Sequence, residues 1–278
     1  ALAGVVNFTT KDASDFLKGD DRFAVRLKGG YESNSEGLAG SMIVAGKPAE
    51  NLDLLGVYTA RDAGNYTSGD GTEVDPSGVK STSYLLKGRY YVGGDKKHSI
   101  WASYQNWQSD STQMYDQAEA FGATPVRRKV DDITAVVGYE NDFNGSKIFN
   151  LEAQGSYANS KVEQRETTFL PGLTYSEFSY ETWQARIQNT SRFNWGDDWA
   201  GFLFVGVQAY TQERRNPRVN AAGVTNPGAA THPEGDMDKY GVYAQAELIW
   251  SDKLTIVPGV RVDKTKLKPG AGVPLTEA

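Results

Sequence analysis

A chain with two histidines and no cysteine has few routes to covalent or proton-transfer chemistry. A Ser-His-Asp arrangement would have to use His98 or His232, and a Cys-His pair is ruled out. His98 lies in the polar turn GGDKKHS and reads as a rim residue. The sequence contains no phosphate-binding P-loop, no HExxH zinc helix and no GxSxG nucleophile elbow. The segment Asp70-Gly71-Thr72-Glu73-Val74-Asp75 is rich in oxygen donors, as calcium loops are, but lacks the terminal bidentate Glu at EF-hand spacing. Asp131 and Asp132 are adjacent and read as a strand entrance, not as an acid–base dyad. No enzymatic activity is expected, and no metal or cofactor of the protein's own. What remains is charge at alternate positions: Arg26 and Lys28, Lys87 and Arg89, Arg186, Gln245 and Glu247, each set among apolar neighbours.

The elements that carry these side chains have a period of two. The clearest is Asp238–Asp263, DKYGVYAQAELIW-SDK-LTIVPGVRVD. In its first arm Val242, Ala244, Ala246, Leu248 and Trp250 form one row, against Gly241, Tyr243, Gln245 and Glu247. Leu254, Ile256, Pro258, Val260 and Val262 continue the apolar row after the polar turn at Ser251-Asp252-Lys253. Successive strand residues point to opposite faces, so this is an antiparallel pair with one apolar and one polar face. Soluble strands run to about 5–6 residues, whereas these arms approach the roughly 9–11 that cross a bilayer at a tilt. A row of Gln, Glu and Arg makes a poor core and a good wet wall. The apolar row is therefore expected to face lipid and the polar row a barrel interior.

Nine further segments show the same alternation. Arg22–Tyr31 sets Phe23, Val25, Leu27 and Tyr31 against Arg26 and Lys28; Gly37–Gly46 and Leu52–Arg61 follow. Ser81–Val92 sets Tyr84, Leu86 and Tyr90 against Lys87 and Arg89. Ser99–Gln108 is ambiguous in its facing, and Asp132–Glu140, Phe149–Tyr157, Thr182–Thr190 and Leu203–Gln212 complete the set, with Arg186 in the polar row of the third of these four. The connections alternate between short (Lys47–Asn51, Gly93–Lys97, Asn141–Ser146, Asn194–Asp198, Ser251–Lys253) and long (Arg61–Lys80, Ser109–Arg127, Lys161–Tyr175, Glu213–Met237), with Glu32–Glu36 the one short member of the second set. Transmembrane barrels segregate short inner turns from long outer loops in this way. Tyr31, Tyr58, Tyr139, Tyr157, Trp183, Trp199 and Trp250 fall near strand ends, as an interfacial girdle requires. The expectation is an all-β, up-and-down transmembrane meander of eleven long strands. An odd number does not close a bacterial single-chain barrel, so these strands should be part of a larger one.

Composition agrees. The 278 residues contain no run of about 20 apolar residues, so no transmembrane helix is expected. The 39% hydrophobic content suits strands with one wet face, and the net charge of −6 argues against a nucleic-acid partner. Gly4–Lys11 (GVVNFTTK) is expected to be a short strand, and Asp12–Asp21 a polar link. The opening residues lack the basic start and cleavage site of a signal peptide.

The segment GVVNFTTKDASDFL (4–17) resembles the end of the plug domain, and its exit into the barrel, in TonB-dependent outer-membrane receptors. LDLLGVYTARDAGNY (52–66), SYLLKGRYY (83–91), SYETWQARIQNTSRF (179–193) and HPEGDMDKYGVYAQAELIW (232–250) resemble barrel strands of the haem and haemoglobin branch. The resemblance implies residues 1–17 as the end of a plug and its linker, and residues 18–278 as the N-terminal half of a barrel of about 22 strands in the bacterial outer membrane. It implies import of an iron source, haem or haem taken from haemoglobin, with the TonB complex, a haem carrier and outer-membrane lipid as partners. A receptor for a siderophore or another nutrient, a passive porin and a soluble all-β carbohydrate-active domain are the alternatives. The TonB box and most of the plug do not occur in this sequence, nor do the FRAP and NPNL segments that flank the coordinating histidine of that branch. His232 is nonetheless on the longest outer loop, and Tyr66 and Tyr115 are on neighbouring ones, so these three are the ligand-contact candidates.

Overall fold

Pairing register decides which face each side chain takes, and in the computed structural model it holds without a slip through almost every strand pair. The structure describes residues 9–114, 125–141, 146–165, 173–196, 198–220, 222–223 and 234–270. After a single 3₁₀ turn at Ala13–Asp15, the chain forms β1 (Phe23–Glu32), β2 (Gly37–Ala49), β3 (Leu52–Ala63), β4 (Tyr66–Thr67), β5 (Glu73–Val74), β6 (Val79–Val92), β7 (His98–Met114) and β8 (Pro125–Asn141). It continues with β9 (Leu151–Arg165), β10 (Leu173–Trp195), β11 (Trp199–Arg215), β12 (Arg218–Asn220), β13 (Gly235–Trp250), β14 (Leu254–Ile256) and β15 (Gly259–Pro269). The long strands pair antiparallel with their sequence neighbours, β1-β2-β3-β6-β7-β8-β9-β10-β11-β13 and then β14 and β15, both on β13. β4 and β5 make a separate two-stranded hairpin, and β12 pairs with β10.

The expected meander of eleven crossings is present once β14 and β15 are read as one strand. Leu248 opposes Ile256 and Gln245 opposes Gly259, so a single register runs through both pieces. The gap falls at Val257-Pro258, where proline has no N–H to return the bond that Ala246 N makes to its carbonyl (2.9 Å). The turn before it carries positive φ at Ser251 and Asp252 (47° and 55°), and Lys253 N donates to Trp250 O (2.8 Å). This is a type I′ turn, whose twist matches the strands it joins. The sheet does not close on itself among the described residues: β1 pairs only with β2, and β15 only with β13.

Two expectations need correction. Several strands are much longer than the hydrophobic alternation indicated, with 17 residues in β7 and β8 and 23 in β10. Much of what read as long loop at 109–127, 161–175 and 213–237 is therefore strand that continues past the apolar band. The periodicity fades there because neither face meets lipid, as in Lys161-Val162-Glu163-Gln164-Arg165. The second correction is at the N-terminus. Thr9–Lys11 is not strand, the remainder of that expected strand lies outside the described residues, and Asp12–Asp21 is more than a link. Its Ala13 is buried with Ala45 and Leu55 in the small apolar core, and Phe16 and Leu17 pack against that core, as Ala24, Ile43, Val57 and Leu85 do from the sheet. The face that carries this packing is the inner face of the sheet.

The other face is apolar and exposed. Phe23, Leu27, Leu86, Val137, Ile187, Val205, Val242 and Val262 are open on it, in a band bounded by rings on both sides. Tyr157 packs on Trp183 (4.7 Å between ring centroids) on the side of the long connections. Trp199 lies near Trp250 (6.5 Å), and His98 Nδ1 meets Tyr139 Oη at 2.8 Å, on the side of the short turns. Beyond Tyr157 and Trp183 the same face turns ionic. Lys161 bridges Glu163 and Glu177 (3.0 Å each), and Arg127 grips Asp110 through two bonds. Asp131 faces outward and accepts from Asn106 Nδ2 (2.6 Å), while the next residue, Asp132, points to the opposite face. The pair is therefore no dyad.

The ionic rows above the band predict an acid response. Hydrogen bonds from Lys161, then Arg165, hold the Glu163 carboxyl below its ordinary 4.5. A carboxylate depressed in the folded state adds stability above its unfolded value and loses it as pH falls through the folded one. Amide exchange in 159–165 and 175–181 should accelerate relative to β6 as pH drops below about 4.5, and Lys161→Met should abolish that difference. An identical pH profile in Lys161→Met would assign the loosening elsewhere.

Candidate functional site

Period-two facing delivers Lys87 and Arg89 of β6, Trp101 of β7 and Glu140 of β8 to one patch of the inner face. Cross-strand register places Arg89 opposite Trp101, and Lys87 opposite Ser103. Onto this patch comes Asp12, just before the 3₁₀ turn. Its two oxygens take different cations: Lys87 Nζ at 2.8 Å and Arg89 Nη2 at 3.1 Å. Lys87 also donates to the Thr10 carbonyl (2.9 Å), and its ammonium lies over the Trp101 ring (5.2 Å to the centroid). Arg89 completes its set with Glu140 Oε2 (2.7 Å) and Ser99 Oγ (2.8 Å), and the Trp101 indole donates to Glu140 Oε1 (2.9 Å). Lys87 and Arg89 are nearly covered, with side-chain exposures of 3% and 11%. Buried cations are stable only when paired and hydrogen-bonded; both are ion-paired here, and of their donors Arg89 Nε is buried without a hydrogen-bond partner. The result is an ionic clamp that holds residues 9–17 to the wall.

Beside the clamp lies an open cavity of about 570 Å³, lined by Thr10, Arg89, Trp101, Gln105, Glu140 and Arg186 among others. Arg186 pairs with Glu152 across β9 and β10 (3.6 Å). Arg26 is set over the Phe16 ring (5.5 Å to the centroid), with Lys11 over the same ring (5.7 Å). Lys28 is exposed beyond them, and Gln245 and Glu247 share the row of Tyr243, Gln245 exposed and Glu247 half-buried. The inner cations thus do two things: some pair within the wall, and two hold the N-terminal segment.

Trp101, Glu140 and Asp12 were not singled out from sequence. The signal for Trp101 was available, since in Ser99-Ile100-Trp101-Ala102-Ser103-Tyr104-Gln105 it shares its row with Ser99, Ser103 and Gln105. Asp12 carried no periodic signal at all.

Of the outer-loop candidates, Tyr115 and His232 lie outside the described residues. Tyr66 is exposed in the β4–β5 hairpin, opposite Val74, and away from the inner patch. The carboxylates of the oxygen-rich segment are engaged within that hairpin. Asn65 Nδ2 donates to Glu73 Oε1 (2.9 Å) and Asp75 Oδ1 (3.0 Å), and Thr72 N donates to Asp70 Oδ1 (3.0 Å). Bonds from Ser68 and Thr72 hold the Asp70 carboxyl below the usual carboxylate range.

An exposed apolar band between two girdles of rings, ionic walls above it and a segment clamped to the inner face define part of a transmembrane β-barrel with a partly filled interior. Residues 65–276 match the family model for the TonB dependent receptor-like beta-barrel, and the chain belongs to that family. These strands therefore reside in the outer membrane. The chain is 25% identical to TonB-dependent heme receptor A of Haemophilus influenzae, over 94% of its own length and 39% of the relative's. It spans about two-fifths of that curated relative. Among solved structures it resembles the hemophore receptor HasR of Serratia marcescens, determined with its hemophore HasA and heme (TM-score 0.76, 20% identity, 93% of this chain and 36% of that one). It also resembles the FrpB iron transporter of Neisseria meningitidis (TM-score 0.71, 21% identity, 93% and 42%). At these identities the two structures speak to fold alone.

Proposed function

We propose that these strands form part of the wall of a TonB-dependent importer that carries an iron source, haem or haem surrendered by a carrier protein, across the outer membrane. Residues 1–17 are the end of its plug and residues 18–278 part of its barrel. The observation that carries this reading is the clamp from Lys87 and Arg89 to Asp12. A passive porin has no reason to seat an N-terminal segment on its wall by buried ion pairs, whereas a plugged importer must hold its plug and let it go. The family match and the relatives named as receptors support a receptor's role for the protein. The relatives named for heme favour haem over a siderophore.

The reading is tested in the complete receptor, produced in a host that cannot make haem and given haem as its only source. Growth should require both the receptor and an intact TonB complex. Growth that persists without TonB would favour the porin. His232, Tyr66 and Tyr115 enter as outer-loop contacts to haem or its carrier, His232 as a secondary contact. Titration of haem into His232→Ala should weaken binding by less than about tenfold, because a secondary contact is worth no more than about 1.4 kcal/mol. If Soret band, affinity and uptake all match wild type, His232 leaves the site and its loop becomes a carrier-docking surface.

A further inference from the structure

We propose that Asp53 is the reserve partner of Arg89: when the N-terminal segment leaves the wall, Arg89 turns the edge of its guanidinium that Asp12 has vacated onto Asp53, so the clamp opens without stranding its arginine. The inference rests on the importer reading for one point, that the segment is unseated during transport. Asp53 belongs to the inner row of β3, alternating with the exposed Leu54, and is itself only 3% exposed. One of its oxygens, Oδ1, is buried and has no hydrogen-bond partner. The other is 3.4 Å from the Tyr91 hydroxyl, well beyond the roughly 2.7–2.8 Å of a good hydroxyl bond. On the β2 side the ladder slips between Gly46 and Ala49, so no side chain stands squarely across from Asp53 there. The bare oxygen is covered by the residues around it, so a further strand or domain cannot reach it while the segment is seated. A buried carboxylate held this weakly costs stability where it stands, and calls for a state in which it is used.

Register supplies the user. Asp53 is the direct cross-strand partner of Arg89, and Leu55 that of Lys87, so Asp53 stands across from one cation of the clamp and diagonal to the other. Side chains directly opposite in an antiparallel pair start about 4.5–5.5 Å apart at Cβ, a gap that arginine closes by changing rotamer, with no movement of the backbone. The seated arrangement already divides the guanidinium in two. Nη1 donates to Glu140 Oε2 (2.7 Å) and Ser99 Oγ (2.8 Å), Nη2 holds Asp12 Oδ2 (3.1 Å), and Nε is buried with no partner. Departure of Asp12 thus frees the whole Nε–Nη2 edge, the fork that grips a carboxylate through two parallel bonds. Asp53 offers two oxygens to it, one bare and one weakly held. Two groups orphaned in the seated state, Arg89 Nε and Asp53 Oδ1, satisfy each other in the unseated one. One ion pair is exchanged for another inside the wall. Seating is then strong, because Asp12 bridges Lys87 and Arg89, and unseating is shallow, because only Lys87 has to be rewetted.

The test uses the complete receptor. In a crystal structure of Asp12→Ala, Arg89 Nε and Nη2 should both lie within about 3.2 Å of the Asp53 carboxylate while Nη1 keeps Glu140. Amide exchange across residues 10–17 measures the opening itself. Asp53→Asn, which takes the reserve partner away, should slow that exchange about tenfold, the worth of one charged hydrogen-bonded pair. Asparagine also relieves the bare carboxylate of the seated state, which slows opening by a different route, so the comparison is repeated in an Arg89→Gln background. There the reserve has no user, and Asp53→Asn should change the rate by less than about twofold. Equal slowing in the two backgrounds assigns the effect to relief of a buried charge and overturns the proposal. An Arg89 that leaves Asp53 untouched in the Asp12→Ala structure overturns it as well. These measurements concern the wall alone, whereas TonB-dependent growth on haem concerns the importer, so either reading can fail while the other stands.

Discussion

Asp12→Ala should release residues 9–17 from the barrel wall at a cost of about 3 kcal/mol, roughly a hundredfold in the seated population. Two cations share Asp12, and they do not lose equally. Arg89 keeps Glu140 and Ser99, but Lys87 is left with the Thr10 carbonyl and the Trp101 face, in a position where its side chain is almost fully covered. Removing one partner of a buried pair strands the other, and that is where breaking such a pair takes its cost of about 3–5 kcal/mol. The lower figure applies because Lys87 retains its carbonyl. Cleavage after Lys11 and Lys18 by trypsin, and amide exchange across 10–17, report the release directly. The companion variant Asp12→Ala/Lys87→Met removes the stranded charge along with its partner and should recover most of the loss. Protection of 10–17 that is the same in Asp12→Ala as in wild type would show that Phe16 and Ala13 seat the segment without help from the ion pairs.

The wall was far more legible in the sequence than the clamp, for a physical reason. A strand between lipid and water must alternate, so Val242, Ala244 and Leu248 against Tyr243, Gln245 and Glu247 reveal period, facing and height together. The same logic put Lys87 and Arg89 opposite Tyr84, Leu86 and Tyr90. Where lipid ends the constraint ends, and the upper parts of β7 to β11, with Asp110, Arg127, Lys161 and Glu177 on the outer face, could be read only as loop. Asp12 was hidden for a different reason. Its partners are 75 and 77 positions away, and ion pairs leave no local periodicity. Trp101 was legible in part, because an indole in a row of Ser and Gln has to be covered by something.

What covers and orients Trp101 leads to the second large effect, Gly138→Val. On strand propensity alone valine should improve β8, since β-branched residues suit strands and glycine weakens them. The geometry says the reverse. Gly138 stands directly opposite Trp101, and the indole lies flat across it. A Cβ at 138 would fall 2.4 Å from Trp101 Cε2 and 2.6 Å from its Nε1, against backbone that is paired on both sides and cannot give. Tyr243 lies over Gly206 in the same way, with 2.4 Å to a built Cβ and its hydroxyl donating to Gln188 (2.7 Å). An aromatic ring across a glycine is a cross-strand unit, the ring replacing the side chain that glycine lacks. Valine at 138 therefore drives the indole off its rotamer, breaks its bond to Glu140 and uncovers Lys87 and Arg89. Overpacking of this kind costs about 1–3 kcal/mol, which matches or exceeds what a better strand residue returns where the whole scale spans about 1 kcal/mol. Gly155→Val is the control, because its Cβ would meet only Val137 Cγ1 at an ordinary 3.7 Å on the outer face. Thermal melts and exchange of residues 10–17 should show Gly138→Val destabilised and its N-terminal segment loosened, with Gly155→Val close to wild type. If the two glycines respond alike, the ring over Gly138 does not position the clamp, and Lys87 and Arg89 are held by their ion pairs alone.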